Sequence, residues 1–192
     1  RFALEVVRES GAPVELDWHG HCDRGLAVIN TLAAIRAGAT RVHACAIGIG
    51  ERVGNTPMDQ LLVNLRLLGW IDNDLGALAE YCTVVSEATD VPVPVNYPVV
   101  GRDAFRTGTG VHAAAVIKAY KKGADWLADR VYSGVPASMV GRHQAIEVGP
   151  MSGDSNVIFW LERRGITPSP ERVHAVFQRA KSVDRVLTAD EI

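Results

Sequence analysis

The sequence predicts an α/β fold, and three observations carry that prediction. Two successive segments each read as strand, polar tip and helix, glycine and proline fall where elements must end, and helical spacing of apolar residues resumes after each tip.

In the first segment Val14, Leu16 and Trp18 follow Gly11 and Pro13, which close a preceding helical pattern, so residues 14–18 read as a strand. Its tip is His19-Gly20-His21-Cys22-Asp23-Arg24-Gly25. Asp23 suits an N-cap, and Leu26, Ile29, Leu32, Ala33 and Ile35 recur with helical spacing until Gly38 stops the helix. In the second segment residues 41–47 read as a buried strand and Gly48-Ile49-Gly50-Glu51-Arg52-Val53-Gly54-Asn55 as the tip. Thr56 and Asp59 form a capping-box-like pair with Pro57 at the first helical position, and Met58, Leu61, Leu62, Leu65 and Leu68 supply the apolar face before Gly69.

One residue between two histidines aims both imidazoles the same way on a strand, which makes His19 and His21 a two-toothed metal clamp. In parallel α/β folds the tips after the strands gather on one face, so His19, His21 and Asn55 are expected to converge. Two neutral imidazoles and an amide oxygen suit a borderline divalent ion such as zinc, manganese or cobalt and call for a carboxylate beside them. Asp23 could supply it, with helix capping as its competing role. Spacing alone also allows a pair of histidines hydrogen-bonded at a strand end, and an Asn55 that only starts a helix or a left-handed turn.

The His-x-His-x-Asp-Arg-Gly run and the Gly-Ile-Gly-Glu-Arg-x-Gly-Asn run together resemble the 2-isopropylmalate synthase family with its homocitrate and citramalate relatives, metal-dependent acyl-CoA aldolase and lyase-type barrels. Residues 96–105, Gly110-Val111-His112, Tyr132, residues 136–142 and Met151-Ser152-Gly153 resemble the linker and small subdomains that follow that barrel. The resemblance implies the C-terminal portion of a (β/α)8 TIM barrel over residues 1–90, then small, mainly helical linker subdomains over 91–192. It implies a divalent metal ion (Zn, Mn, Mg or Co) on His19, His21 and Asn55, with acetyl-CoA and a 2-oxo acid as substrates of a Claisen-type condensation. It further implies catalytic roles for His112 and Tyr132, which would reach into the barrel of a partner subunit in a homodimer. Glu51 reads either as half of a solvated loop pair with Arg52 or, as favoured here, as a carboxylate on the substrate side or just behind the ligands, because a Gly-x-Gly-Glu tip lets backbone approach a ligand and sets a carboxylate next to it. The chain departs from the family pattern at Cys22, where Asn is usual, and in Arg106-Thr107-Gly108-Thr109-Gly110-Val111, where a His precedes Ser-Gly-Ile-His. Both departures bear on substrate choice more than on the metal.

Two rival readings remain at this stage: a lyase of the same barrel group, such as hydroxymethylglutaryl-CoA lyase, and a non-catalytic metal-binding or interaction module. The segment from 97 to 153 speaks against the lyase, which resembles the barrel only.

With 192 residues and 47% hydrophobic side chains, one domain or one and a half is expected. A net charge of −2 offers no basic stripe for nucleic acid or an anionic membrane. Cys22, Cys45 and Cys82 are an odd set without metal-type spacing, which points to free thiols in a reducing, cytoplasmic setting. No apolar run approaches the ~20 residues of a membrane span, and the first residues do not read as a signal peptide. Residues 1–10 read as the tail of a helix and Thr188 to Glu191 as the start of another, so a piece of a longer protein is expected.

Further helices are expected at 74–89, 103–121, 125–132, 155–164 and 169–183, separated by a proline-restrained extended segment at 91–97 that serves as the linker. His43 reads as a packed or hydrogen-bonded strand residue, His143 and His174 as surface or interface residues. Lys118, Lys121 and Lys122 read as a solvated helix face.

Overall fold

In the computed structural model, which describes residues 2–192, the expected strand–tip–helix order is realised with shorter strands than the pattern suggests. After helix α1 (Phe2–Ser10) come strand β1 (Asp17–Trp18), helix α2 (Ala27–Arg36) and strand β2 (Arg41–Val42). β1 and β2 pair in parallel, Asp17 with Arg41 and Trp18 with Val42, with α2 as the crossover. Among the described residues this ladder has two strands, which establishes the α/β class and one parallel β–α–β unit. The ladder is only two residues long, flanked by backbone bonds from Thr40 N–H to Leu16 (2.9 Å) and from His43 N–H to Trp18 (2.9 Å). Val14 accordingly lies 55% exposed instead of in a buried strand.

The remaining elements of the first unit are a short 3-10 turn at Ala46–Gly48, helix α3 (Met58–Leu67) and helix α4 (Leu78–Thr89). Leu61, Val63 and Leu65 of α3, Leu78 and Cys82 of α4, and Leu75 form a buried core. Each such aliphatic side chain contributes about 1.5–3 kcal/mol when withdrawn from water.

Two helix starts differ from the sequence expectation, and for one reason. Asp23 does not cap α2, which begins at Ala27 after Leu26; its carboxylate instead accepts both Nε (2.7 Å) and Nη2 (3.0 Å) of Arg52. Thr56 and Asp59 form no capping box, and Pro57 is the N-cap of α3. The Thr56 hydroxyl lies 2.9 Å from that of Thr31. Thr31 gives its only hydroxyl proton to the carbonyl of Ala27 (2.9 Å), so Thr56 is the donor of that pair. Trp18 Nε1 also donates to Thr31 (3.1 Å), so one buried threonine ties β1, α2 and the approach to α3 together. Asp59 is fully buried and accepts the backbone N–H of Ile47 (2.8 Å). Burial raises its pKa, and the hydrogen bonds it accepts oppose that shift. In each case a tertiary partner outcompetes the local cap.

The chain divides into two compact units, residues 1–101 and 102–192. The proline-bearing segment is non-helical as expected but turns at 94–97, where Tyr97 N–H donates to the carbonyl of Pro94 (3.0 Å), and it belongs to the first unit, with the Tyr97 hydroxyl buried beside Asp59 and its pKa raised chiefly by that burial.

The second unit contains strand β3 (Arg106–Thr107), helices α5 (Gly110–Lys121) and α6 (Asp125–Ala128), strand β4 (Ala145–Ile146), and helices α7 (Asp154–Glu162) and α8 (Pro170–Lys181), with short 3-10 turns at Ala137–Val140 and Ala189–Glu191. The helix expected from residue 103 starts only at 110, because Arg106 and Thr107 pair in parallel with Ala145 and Ile146. Arg106 is anchored by Glu147 (2.7 Å) and Asp103 (2.9 Å). The helix expected over 125–132 stops at Ala128, since buried Asp129 turns to accept Ala137 N–H (2.8 Å), Ser138 N–H (3.1 Å) and the Ser138 hydroxyl (2.6 Å).

Two apolar clusters fill this unit. One joins Ala113, Val116, Ile117 and Phe159; the other joins Val157, Trp160, Leu161, Val173 and Val176. At their junction Asn156 is fully buried, its amide donating to the carbonyls of Glu147 (2.9 Å) and Gly108 (3.2 Å) and accepting Gly153 N–H (3.3 Å). Ser152 adds a hydroxyl bond to Gly108 (2.6 Å) and accepts Gly149 N–H (2.9 Å). These two side chains hold the loop that launches α5.

Asn156→Ala removes the amide donor from the Glu147 carbonyl and leaves that of Gly108 to the Ser152 hydroxyl alone, and is expected to lower unfolding stability by about 2 kcal/mol, whereas Asn156→Asp, which keeps the acceptor and loses the donors, is expected to be no milder. Urea denaturation of the intact protein measures both.

Candidate functional site

His19 and His21 flank Gly20 just past the end of β1, and their Nε2 atoms lie 3.2 Å apart with the rings edge to face. Two nitrogens that both ligate one ion at about 2.1 Å, separated by this distance, subtend an angle of roughly 100°, close to what tetrahedral or octahedral coordination requires. His21 pairs with Asn55 in an isolated antiparallel bridge, which places their side chains on the same face of that bridge.

The tip that presents Asn55 is held by its own backbone. Asn55 N–H donates to the carbonyl of Gly48 (3.0 Å), Gly54 N–H to that of Glu51 (2.9 Å), and Cys22 N–H to that of Gly54 (2.8 Å). Gly54 has φ +93°, and a Cβ there would run into the Gly48 carbonyl oxygen. Ile47 and Arg52 also take positive φ (47° and 57°), uncommon for side chains with a Cβ and worst for a branched one. The buried Asp59 carboxylate pins Ile47 and the Asp23 ion pair pins Arg52, so the strain at this tip is held from both ends.

The Asn55 amide nitrogen donates to Cys45 Sγ (3.4 Å) and to the carbonyl of Ile49 (3.4 Å). With its donors engaged, Oδ1 is left as a buried acceptor without a partner, and His21 Nδ1 is a second buried atom in that condition. Each such orphan costs about 1–3 kcal/mol unless a ligand or water satisfies it. The donor set therefore fits a cation: two imidazoles at chelating distance and a bridge-partnered amide with a free oxygen.

Asp23 does not complete it. Both its oxygens are engaged by Arg52, whose hydrogen bond holds the carboxyl below its ordinary pKa. Among the described residues no group of three or more His, Cys, Asp or Glu is placed to hold a metal, so a carboxylate ligand is not supplied within them. Glu51 lies exposed at the tip between Gly50 and Arg52.

His112 and Tyr132 fall in the second unit. His112 sits in the first turn of α5, and its ring stacks on that of Tyr132 with centroids 4.0 Å apart and planes 26° from parallel. A cavity of ≈ 530 Å³ in this unit, lined by Tyr120, Trp126, Arg130 and Arg163 among others, includes neither. A smaller one of ≈ 200 Å³ in the first unit borders Cys22, Ile47, Val53, Asn55 and Tyr97.

The structure adds His43 to the histidine pair. Its Nδ1 lies 3.3 Å from His19 Nδ1 and its Nε2 3.4 Å from Asp17 Oδ2. The signal was present but needed the register: Asp17 opposite Arg41 makes His19 opposite His43 the next pair but one. Cys45, as the partner of the Asn55 amide, had no such signal.

Residues 3–85 match the model of the HMGL-like family. Homocitrate synthase AksA of Methanopyrus kandleri is 36% identical over 185 residues, covering 95% of this chain and 44% of that protein. A 2-isopropylmalate synthase of Acidimicrobium ferrooxidans is 34% identical over 200 residues (100% of this chain, 37% of that protein), and an (R)-citramalate synthase of Aquifex aeolicus 35% over 169 (86% and 30%). The chain belongs to the HMGL-like family. Within it, the chain belongs with the 2-isopropylmalate, homocitrate and citramalate synthases, and it spans less than half the length of the three relatives named. No helix among the described residues is long and apolar enough to cross a membrane.

A Cβ at Gly50 would lie 2.5 Å from Asn55 Nδ2. Gly50→Ala is therefore expected to displace the Asn55 amide, shifting its side-chain NH2 resonances and weakening Mn2+ binding by tenfold or so, an effect on the order of the RT ln 10 of about 1.4 kcal/mol. Unchanged resonances and affinity would show that the tip does not fix that side chain.

Proposed function

We propose that the protein of which this chain forms part condenses acetyl-CoA with a 2-oxo acid, as a 2-isopropylmalate synthase-like acyltransferase giving an alkyl-malate type product. The observation that carries the reading is the His19–His21 pair at chelating distance beside Asn55, whose carbonyl oxygen is buried without a partner. The synthase relatives support it, because their similarity runs through the second unit as well as the first. That extent also favours a synthase over a lyase of the same family, for which the barrel alone would suffice.

The first unit is the C-terminal portion of a (β/α)8 barrel in this reading, with His19, His21 and Asn55 at the mouth formed by the tips. Helix α1, which buries none of its residues, and exposed Ile29 of α2 offer apolar faces for further barrel elements. His19, His21 and Asn55 would hold a divalent ion, which when bound supplies Lewis acidity toward the keto group of the 2-oxo acid. The condensation removes a methyl proton from the acetyl thioester, joins that carbon to the keto carbon, and releases coenzyme A by hydrolysis. His112, an imidazole with one nitrogen to accept a proton and one to donate, serves this proton traffic with Tyr132, whose ring holds it flat by stacking. Glu51 stands at the tip on the substrate side. The protein works as a cytoplasmic homodimer in which His112 and Tyr132 of one subunit complete the barrel site of the other.

Release of free coenzyme A thiol from acetyl-CoA in the presence of 2-oxoisovalerate, 2-oxoglutarate or pyruvate tests the reaction in the intact protein. One of the three is expected to support turnover, with His19→Ala and His112→Ala each lowering kcat by about a hundredfold or more. Mixing those two inactive variants is expected to recover roughly a quarter of wild-type activity, because half of the random dimers carry one site built from two intact contributions. Silence with every oxo acid despite bound metal would replace the enzyme by a metal-binding module, and failure of the mixture to recover would confine each site to one subunit.

A further inference from the structure

We propose that Asp17 and His43 form a positioning relay that fixes His19 as the Nδ1–H tautomer and so presents its bare Nε2 toward His21; the inference rests on the reading of His19 and His21 as metal ligands. The parallel register of β1 and β2 creates the relay. Asp17 and His19 share one face of their strand, as Arg41 and His43 share one face of theirs, and pairing Asp17 with Arg41 brings the two histidines alongside.

The proton bookkeeping then follows from donor and acceptor identity. The Asp17 carboxylate lies within ion-pair range of His43, with Oδ2 3.4 Å from Nε2, and its negative charge favours the His43 proton on that nitrogen. A neutral His43 then has a lone pair on Nδ1, and its contact with His19 Nδ1 (3.3 Å) requires the His19 proton there. His19 Nε2 is left unprotonated, and this is the atom that lies 3.2 Å from His21 Nε2. Arg41 steadies the start of the chain, donating to the same Asp17 oxygen (3.4 Å) and to Glu15 (2.8 Å). His43 is thus a positioning residue that acts through His19, as partners of metal-bound imidazoles generally do.

Long-range 1H–15N spectra of the intact, metal-free protein, at a pH where the imidazoles are neutral, read the tautomer directly. His19 is expected to carry its proton on Nδ1 in the wild type and to revert to a mixture in His43→Phe. His43→Asn, whose amide oxygen can stand where Nδ1 stood, is expected to restore it. Asp17→Ala gives a second disruption at a half-exposed position should the Phe variant fold poorly. Mn2+ affinity, measured on the same samples, is expected to fall about 10–100-fold in His43→Phe and less in His43→Asn. A wild-type His19 protonated on Nε2, or a tautomer indifferent to both His43→Phe and Asp17→Ala, overturns the relay. If the tautomer follows His43 while the wild type binds no Mn2+, the relay stands and the metal reading falls; if Mn2+ binding depends on His19 but the tautomer ignores His43, the reverse holds.

Discussion

The antiparallel bridge between His21 and Asn55 is the contact on which the candidate site depends, because it joins the end of one strand–tip–helix segment to the end of the next and brings an imidazole and an amide to one face. Neither segment could do this alone. The bridge is in turn possible only because the 48–54 tip folds back on itself through Gly48, Glu51 and Gly54 carbonyls. What emerges is a pair of imidazole nitrogens that meet only each other, beside an amide oxygen whose hydrogen-bonding needs are not met by the protein, which is the usual condition of an atom awaiting a ligand.

That arrangement is held by polar interactions placed behind it. Thr31 gathers Trp18, Thr56 and the Ala27 carbonyl, locking β1 and the base of α3 to the crossover helix. Asp59, buried and bound to the strained Ile47, and Asp23, bidentate on Arg52, each hold one unfavourable backbone conformation at the tip. Stability is thereby given up locally to fix the direction of Asn55 and secured by partners outside the site. In the second unit Asn156 and Ser152 do the corresponding work for the loop before α5, which carries His112 to its stack with Tyr132.

How much of this was legible from the residues alone depended on range. The β–α–β order and the helices α2, α3, α4, α7 and α8 follow from apolar spacing and from glycine and proline stops, which act over a few residues. The histidine pair and Asn55 were visible as motifs. Asp23 and Asp59 were misjudged as caps because each has a distant partner, Arg52 and the Ile47 amide, that local pattern does not reveal. The pair Arg106–Thr107 with Ala145–Ile146 was too short to leave a periodic signal, and His43 became informative only once the register of β1 against β2 was known.

Anomalous diffraction from crystals of the intact protein loaded with Mn2+ tests the central claim most directly. The account predicts one metal peak within about 2.3 Å of His19 Nε2, His21 Nε2 and Asn55 Oδ1 together. A peak lying elsewhere, or one that engages the imidazoles while the Asn55 oxygen turns away, would contradict it.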